Sequence, residues 1–143
     1  FLQRTGRDPR TLRNAGRQRN LVLITSTRPG EGKSFIAVNV AMSLALEECI
    51  PVCLVDADTA RPRLRSYFGF GHAPGLVDLI DQPDLDLAAV SRRATGAPLT
   101  FVGEGKRLSN PTEFFSSATA RRAFARLSLS YPDGVVLIDA PPV

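Results

Sequence analysis

The stretch LVLITSTRPGEGKSFIAVNVAMSLALEE, Leu21 to Glu48, constrains the fold more than any other part of this chain. It opens on LVLIT, a short continuous apolar run of the kind that a strand buried on both faces requires. A polar, glycine-bearing loop follows. From Ser34 to Glu48 the residues Ile36, Val40 and Leu44, flanked by Ala37, Ala41 and Ala45, recur every fourth position, which predicts a helix with a broad buried stripe. Pro51 marks its end. Strand, glycine loop and helix in that order build a cradle for an anion, because the loop backbone approaches closely and the new helix presents its unpaired amides.

The rest of the chain repeats the alternation. VCLV, Val52 to Val55, reads as a second buried strand, and DADTARP after it as a polar loop that Pro62 keeps from continuing the strand. Short helices are expected at Leu64 to Phe68, in LVDLI and in LDLAAVSRR, with a glycine-rich turn GFGHAPG between the first two. LTFV, Leu99 to Val102, predicts a third strand. A helix opening at Pro111 or Thr112 runs through ARRAFARLSLS, and VVLI, Val135 to Ile138, gives a fourth strand. Alternating strands and helices imply a parallel sheet covered on both faces, with ligands at the carboxyl ends of the strands. Thr25, Val55 and Ile138 close three of the four strands, so the glycine loop, Asp56 and Asp139 are expected to converge.

Composition fits one domain with a core: 143 residues, 43% hydrophobic and 22% charged. The net charge of +4 is unevenly spread. Residues 1–20 carry six arginines against Asp8 alone, while the remainder is close to neutral. This basic arm is read as a linker or as a contact for an acidic surface or a neighbouring subunit. The chain starts at Phe1 and stops at Val143 just after an apolar run and two prolines, and is expected to be a fragment lacking the carboxyl-terminal part of its fold. It holds no apolar run of about 18 residues and no export leader. Cys49 and Cys53 have no partners for a zinc site and read as a helix-end residue and a buried strand residue in a reducing cytoplasm.

A bound triphosphate needs backbone amides, positive charge and a metal ligand. Gly30 and Gly32 let the loop wrap closely, Lys33 reaches the phosphate oxygens, and the Ser34 hydroxyl binds the metal. Lys33 is one of only two lysines in an arginine-rich chain, so a flexible point charge is wanted there. Asp139 after VVLI is a candidate magnesium aspartate. Asp56 and Asp58, one residue apart, are candidates for a metal ligand and a general base, with a turn or capping role as the alternative for either alone. Thr27 stands where the usual loop has its first glycine.

The motifs ITSTRPGEGKSFIAVNVAMSLA, VCLVDADTARPRL, FGFGHAPGLVDLI, SNPTEFFSS and VVLIDAPPV, taken in order over residues 20–143, resemble the bacterial protein tyrosine autokinases (BY-kinases) of exopolysaccharide and capsule synthesis, in particular their exosortase-associated branch. The resemblance implies a P-loop NTPase-type three-layer α/β fold with a mostly parallel sheet, and a tyrosine-kinase activity using ATP and Mg2+. It implies a Walker A loop at Thr27 to Ser34, with Pro29, Gly30, Glu31, Gly32, Lys33, Ser34 and Phe35 at the nucleotide and Pro29–Gly30 shaping a turn that lacks the first glycine. It further implies that Lys33 stabilises the transferring phosphate and Ser34 binds the metal. Asp56 would serve both the metal and the incoming tyrosine hydroxyl, and Asp58 and Asp139 the metal's waters. Arg61 is carried over to the phosphate or an interface.

The acceptor it implies is a protein tyrosine, on the chain's own tail beyond Val143 or on a neighbouring subunit. Implied partners are a membrane polysaccharide co-polymerase or adaptor at the inner face of the cell membrane, and further copies of the chain. Tyr67 and Tyr131, the only tyrosines, read as packing residues. Arg7 in RDPRTLR replaces the glutamate of the family's oligomerisation helix, which argues against ring assembly, and a fragment is expected to bind ATP poorly. The rival reading is a partitioning or septum-positioning ATPase, whose characteristic lysine is replaced here by Arg28. A third is a non-catalytic nucleotide-binding regulator. Nucleic acid is not expected as the main ligand, since no basic stripe with interleaved aromatics is present, and His72 reads as an exposed loop residue.

Overall fold

In the computed structural model, which describes residues 20–143, the chain forms an α/β layer structure on one five-stranded sheet. The elements are β1 (Leu21–Ile24), α1 (Lys33–Leu46), β2 (Val52–Asp56), α2 (Leu64–Phe68), α3 (Leu76–Asp81), α4 (Leu87–Val90), β3 (Ser91–Arg93), β4 (Leu99–Val102), α5 (Pro111–Ser116), α6 (Ala118–Ser130) and β5 (Val135–Asp139). The spatial order is β1-β5-β2-β4-β3. β1, β5, β2 and β4 run parallel, and β3 closes the far edge antiparallel to β4. The apolar runs predict all four parallel strands, but β1, expected to be buried on both faces, lies at the sheet edge among the described residues. β2 is buried along its whole length.

Alternate residues of the central strands feed two cores. Val52, Leu54 and Leu137 meet Ala37, Ala41 and Ala45 of α1 on one face. On the other, Cys53, Val55, Val136 and Ile138 meet Leu76, Leu79 and Ile80 of α3 and Ala120, Ala123 and Leu127 of α6. Three phenylalanines, Phe68, Phe70 and Phe101, stack with centroids 5.2 to 6.1 Å apart and tie α2 to β4.

Three local expectations change. SRR leaves α4 and becomes β3, paired Ser91 to Val102 and Arg93 to Thr100. Gly96 turns the hairpin at φ 83°, a signal stronger than the helical pattern before it. The helix expected from Pro111 onwards is two, because Ser117 is extended (φ −66°, ψ 160°) and its hydroxyl accepts from the Ala120 amide to start α6 afresh. On α1 the alanine row is fully buried, whereas Ile36 is 51% and Val40 38% exposed. The helix lies over β2 and β5, and small side chains let it approach them closely.

Residues 1–19, with RDPRTLR around Arg7 and the six arginines of the basic arm, lie outside the described residues, and so does the expectation about ring assembly. Among the described residues no helix is long and apolar enough to cross a membrane. β1 has a strand partner on one side only among the described residues, and Val22 and Leu23 on it are 43% and 61% exposed. Beside it lies an apolar groove of about 600 Å³ floored by Leu21, Ile138 and Phe124. An exposed apolar edge is a template for association. Leu23→Lys is therefore expected to lower concentration-dependent light scattering of this chain while leaving its circular dichroism spectrum unchanged.

Candidate functional site

Register explains why the chemistry of three separate loops meets. In the parallel ladder Asp139 lies beside Ile24 on one side and Asp56 on the other, so the ends of β1, β5 and β2 reach the same rim together. The loop after β1 then turns back into α1. Gly30 and Gly32 take left-handed backbone at φ 86° and 83°, which a side chain would strain. Thr27 does not, so no glycine is needed there. Instead the Glu31 carboxylate accepts from the Thr27 and Arg28 amides, both at 3.0 Å, and from the Thr27 hydroxyl, and so ties the front of the loop to its back. These bonds hold the Glu31 carboxyl below its ordinary range, led by the one from Arg28.

α1 starts at Lys33 with Gly32 as its cap, without a side-chain cap bond and without an acidic residue in its first turn. Its leading amides are thus left for an anion. Lys33 Nζ donates to Asp58 Oδ2 at 2.9 Å and to Asp139 Oδ1 at 3.2 Å. The Ser34 hydroxyl donates to Asp139 Oδ2 at 2.6 Å. Burial works against the Lys33 charge, but the Asp58 and Asp139 carboxylates outweigh it and hold its pKa above the ordinary lysine value. Asp58 Oδ1 accepts from the Arg61 amide. The cleft above this cluster is open, about 310 Å³, and is walled by Pro29, Gly30, Lys33, Ser34 and Phe35 on the loop side and by Asp58, Arg61, Arg63 and Tyr67 on the other.

Asp56 sits beneath the cluster, fully buried, with Oδ1 accepting from the Asp58 amide and Oδ2 from the Leu64 amide, both at 3.1 Å. Its pKa is raised to about 7, chiefly by burial and also by the charges of Asp139 and Glu104, against the downward pull of the Leu64 and Asp58 bonds. Of the three aspartates only Asp58 lines the open cleft. Lys33, Ser34, Asp58 and Asp139 are brought into direct contact, and Asp56 is bonded to the backbone of its own loop.

Among the described residues no three acidic, histidine or cysteine side chains form a metal cage by themselves. Magnesium seldom needs one, since it takes one or two carboxylates and completes its shell from phosphate and water. A hydroxyl on a buried carboxylate, with two carboxylates against one lysine, is a donor set with surplus negative charge that fits a divalent cation bound together with a polyphosphate.

Several residues stand apart from expectation. Tyr67 is not a packing residue: it is 48% exposed on the cleft wall, because α2 buries Leu64 and turns Tyr67 outward. Tyr131 is half buried against the core, and Cys53 is buried in β2 with burial pushing its thiol up to about 12. Cys49 is exposed just past α1, and His72 is exposed beside Arg65. Arg63 and Glu104 were not singled out from the sequence. Glu104 had a signal, since it follows the apolar run LTFV at the same rim as the other strand-end residues.

No family model matches the chain. A tyrosine-protein kinase, ptk, of Acinetobacter johnsonii is 35% identical over 124 residues, 87% of this chain and 16% of that protein. The solved VpsO kinase domain is 31% identical, with a TM-score of 0.78 over 86% of this chain and 59% of that one. Both comparisons support one family, the bacterial tyrosine-protein kinases. The chain therefore spans about a sixth of the tyrosine-protein kinase relative and somewhat over half of the kinase domain. A ParA-family ATPase from Chlorobium tepidum, 19% identical with a TM-score of 0.69 over 87% of this chain and 52% of that one, shares the P-loop α/β fold.

The raised Asp56 carboxyl has a measurable consequence. Its folded pKa, about 7, lies above the ordinary value of 3.8, so the folded state binds the proton more tightly. Its contribution to stability is present below pH 4 and is lost as pH rises to 7, by an amount on the order of 3 to 4 kcal/mol. The thermal midpoint of nucleotide-free wild type should fall between pH 5 and pH 8 more steeply than that of Asp56→Asn; parallel profiles would contradict the assignment.

Proposed function

We propose that this chain is the phosphate-handling part of an ATP-dependent protein tyrosine kinase that acts on exopolysaccharide or capsule synthesis. The observation that carries the reading is Lys33 bracketed by Asp58 and Asp139, with Ser34 on Asp139, at the uncapped start of α1. In this reading the amides of Gly30, Glu31, Gly32, Lys33, Ser34 and Phe35 surround the phosphates, with Pro29 shaping their turn. Ser34 and Asp139 would hold magnesium, with Asp58 beside it on the cleft wall, while Asp56 lies beneath and holds the Asp58 amide. ATP supplies the phosphoryl group and magnesium neutralises its charge.

The chain's own residues do the rest. Lys33 exchanges its carboxylate partners for phosphate oxygens and follows the charge that develops between them. The tyrosine hydroxyl approaches from the cleft wall formed by Asp58, Arg61, Arg63 and Tyr67 and bonds to the γ-phosphorus as the bond to the leaving diphosphate breaks. Its proton passes to Asp58, the aspartate on that wall. We take residues 1–20 as a basic arm before a nucleotide-binding unit at 21–143. The parent protein would belong to the exosortase-associated branch, work at the inner face of the cell membrane beside a polysaccharide co-polymerase, and phosphorylate a tail or a neighbouring copy.

The fold shared with a partitioning ATPase keeps one second reading alive, in which the same cluster hydrolyses ATP without an acceptor. Incubation of the full-length protein with ATP and magnesium, followed by mass spectrometry, separates them. Phosphotyrosine is expected in the wild type and is expected to fall by about 100-fold or more in Lys33→Met. ATP hydrolysis without phosphotyrosine, or phosphotyrosine undiminished in Lys33→Met, would overturn the kinase reading.

A further inference from the structure

Outside the loop and its aspartates, one buried charged side chain at the rim has no part in the reading above. Glu104 lies two residues past β4, is 6% exposed, and forms an ion pair with Arg65 Nη1 at 2.9 Å. A carboxylate buried to that degree is costly unless its partner repays it, so its place calls for a reason. Arg65 is the residue after Leu64, whose amide bonds to Asp56 Oδ2. The Arg65 carbonyl in turn accepts from the Phe70 amide and closes the turn behind α2. Glu104 is itself fixed from the other side, since its carbonyl accepts from the Val77 amide and β4 is paired in the sheet to β2.

α2 has no side-chain cap at its start and is only five residues long. Inside the helix the Ser66 amide and hydroxyl close the first turn on the Arg63 carbonyl, which does not tie that turn to the sheet. The Arg65–Glu104 pair on one residue and the buried Leu64 side chain on the one before it fix that end against the sheet. The segment between Asp56 and Leu64 carries Asp58 to Lys33 and Arg61 and Arg63 to the cleft. It is pinned at its far end by the Leu64 amide.

We infer that Glu104 is a positioning residue: through Arg65 it holds the start of α2 so that the Leu64 amide fixes Asp56 and the loop brings Asp58 onto Lys33. The inference rests on the phosphotransfer reading for its consequence in catalysis, but not for the geometry it asserts. Misplacement of such a loop by about 1 Å is enough to slow a reaction by as much as 100-fold while leaving ground-state binding almost intact.

The test pairs an exchange measurement with kinetics. The double variant Arg65→Met with Glu104→Leu replaces the ion pair by apolar groups and is expected to keep the thermal midpoint close to that of the wild type. Amide hydrogen exchange at Leu64 and Asp58 is expected to speed up by about tenfold, with β2 and β5 amides unchanged. In the kinase assay kcat is expected to fall about tenfold and KM for ATP to move less than about twofold, while Arg65→Lys retains most of the rate. Unchanged exchange at Leu64, or exchange accelerated equally throughout the sheet, would overturn the inference, as would a change confined to KM for ATP. Faster Leu64 exchange in the variant of a wild type that makes no phosphotyrosine would leave the positioning intact and remove the kinase reading instead.

Discussion

The arrangement turns on one ammonium group shared by two carboxylates. Lys33 comes from the first turn of α1, Asp58 from the loop after β2 and Asp139 from the last residue of β5, and the insertion of β5 between β1 and β2 brings the two carboxylates within 3.2 Å of the ammonium. Placing one lysine and two carboxylates in a largely buried setting is unfavourable without mutual contact. The cluster therefore behaves as a unit: each side chain is held by the others, and the Ser34 hydroxyl and the Arg61 amide take up the remaining carboxylate oxygens. Among the described residues every buried side-chain nitrogen and oxygen has a partner. A site so satisfied in isolation opens to a ligand only if the ligand replaces those partners, as a metal-bound polyphosphate does with its own oxygens and positive charge.

The same logic accounts for the loop that lacks its first glycine. A glycine is demanded by backbone sign, and only Gly30 and Gly32 carry positive φ here. Thr27 does its work through hydrogen bonds, supplying an amide and a hydroxyl to Glu31. Glu31 thus belongs to the loop's own frame through its side chain, while its backbone stays on the phosphate side in the proposed reading.

Much of this was legible in the sequence because the chemistry rides on strong patterns. Four apolar runs predicted four strands, and the polar residues just past three of them predicted the rim where Lys33, Ser34, Asp58 and Asp139 meet. What was not legible depended on contacts distant in sequence or on small local energies. SRR became a strand because of a turn at Gly96 and a partner at Thr100 to Val102. The exposed side of α1 follows from where the helix crosses the sheet, which its period alone does not encode. Asp56 was read with its neighbours as a metal-facing group, yet its oxygens are taken by amides two and eight residues away, a link visible only once α2 is docked. Glu104 escaped notice because its partner Arg65 lies 39 residues earlier, on a helix too short to announce itself.

The central claim is that the Lys33, Ser34 and Asp139 cluster receives a metal-bound triphosphate. Calorimetric titration of this protein with ATP, with and without magnesium, addresses it most directly, with Asp139→Asn as the comparison. Binding tightened by about tenfold or more by magnesium in the wild type, with that dependence lost in Asp139→Asn, is the predicted result. Equal affinity with and without magnesium, or a magnesium dependence that survives in Asp139→Asn, would contradict it.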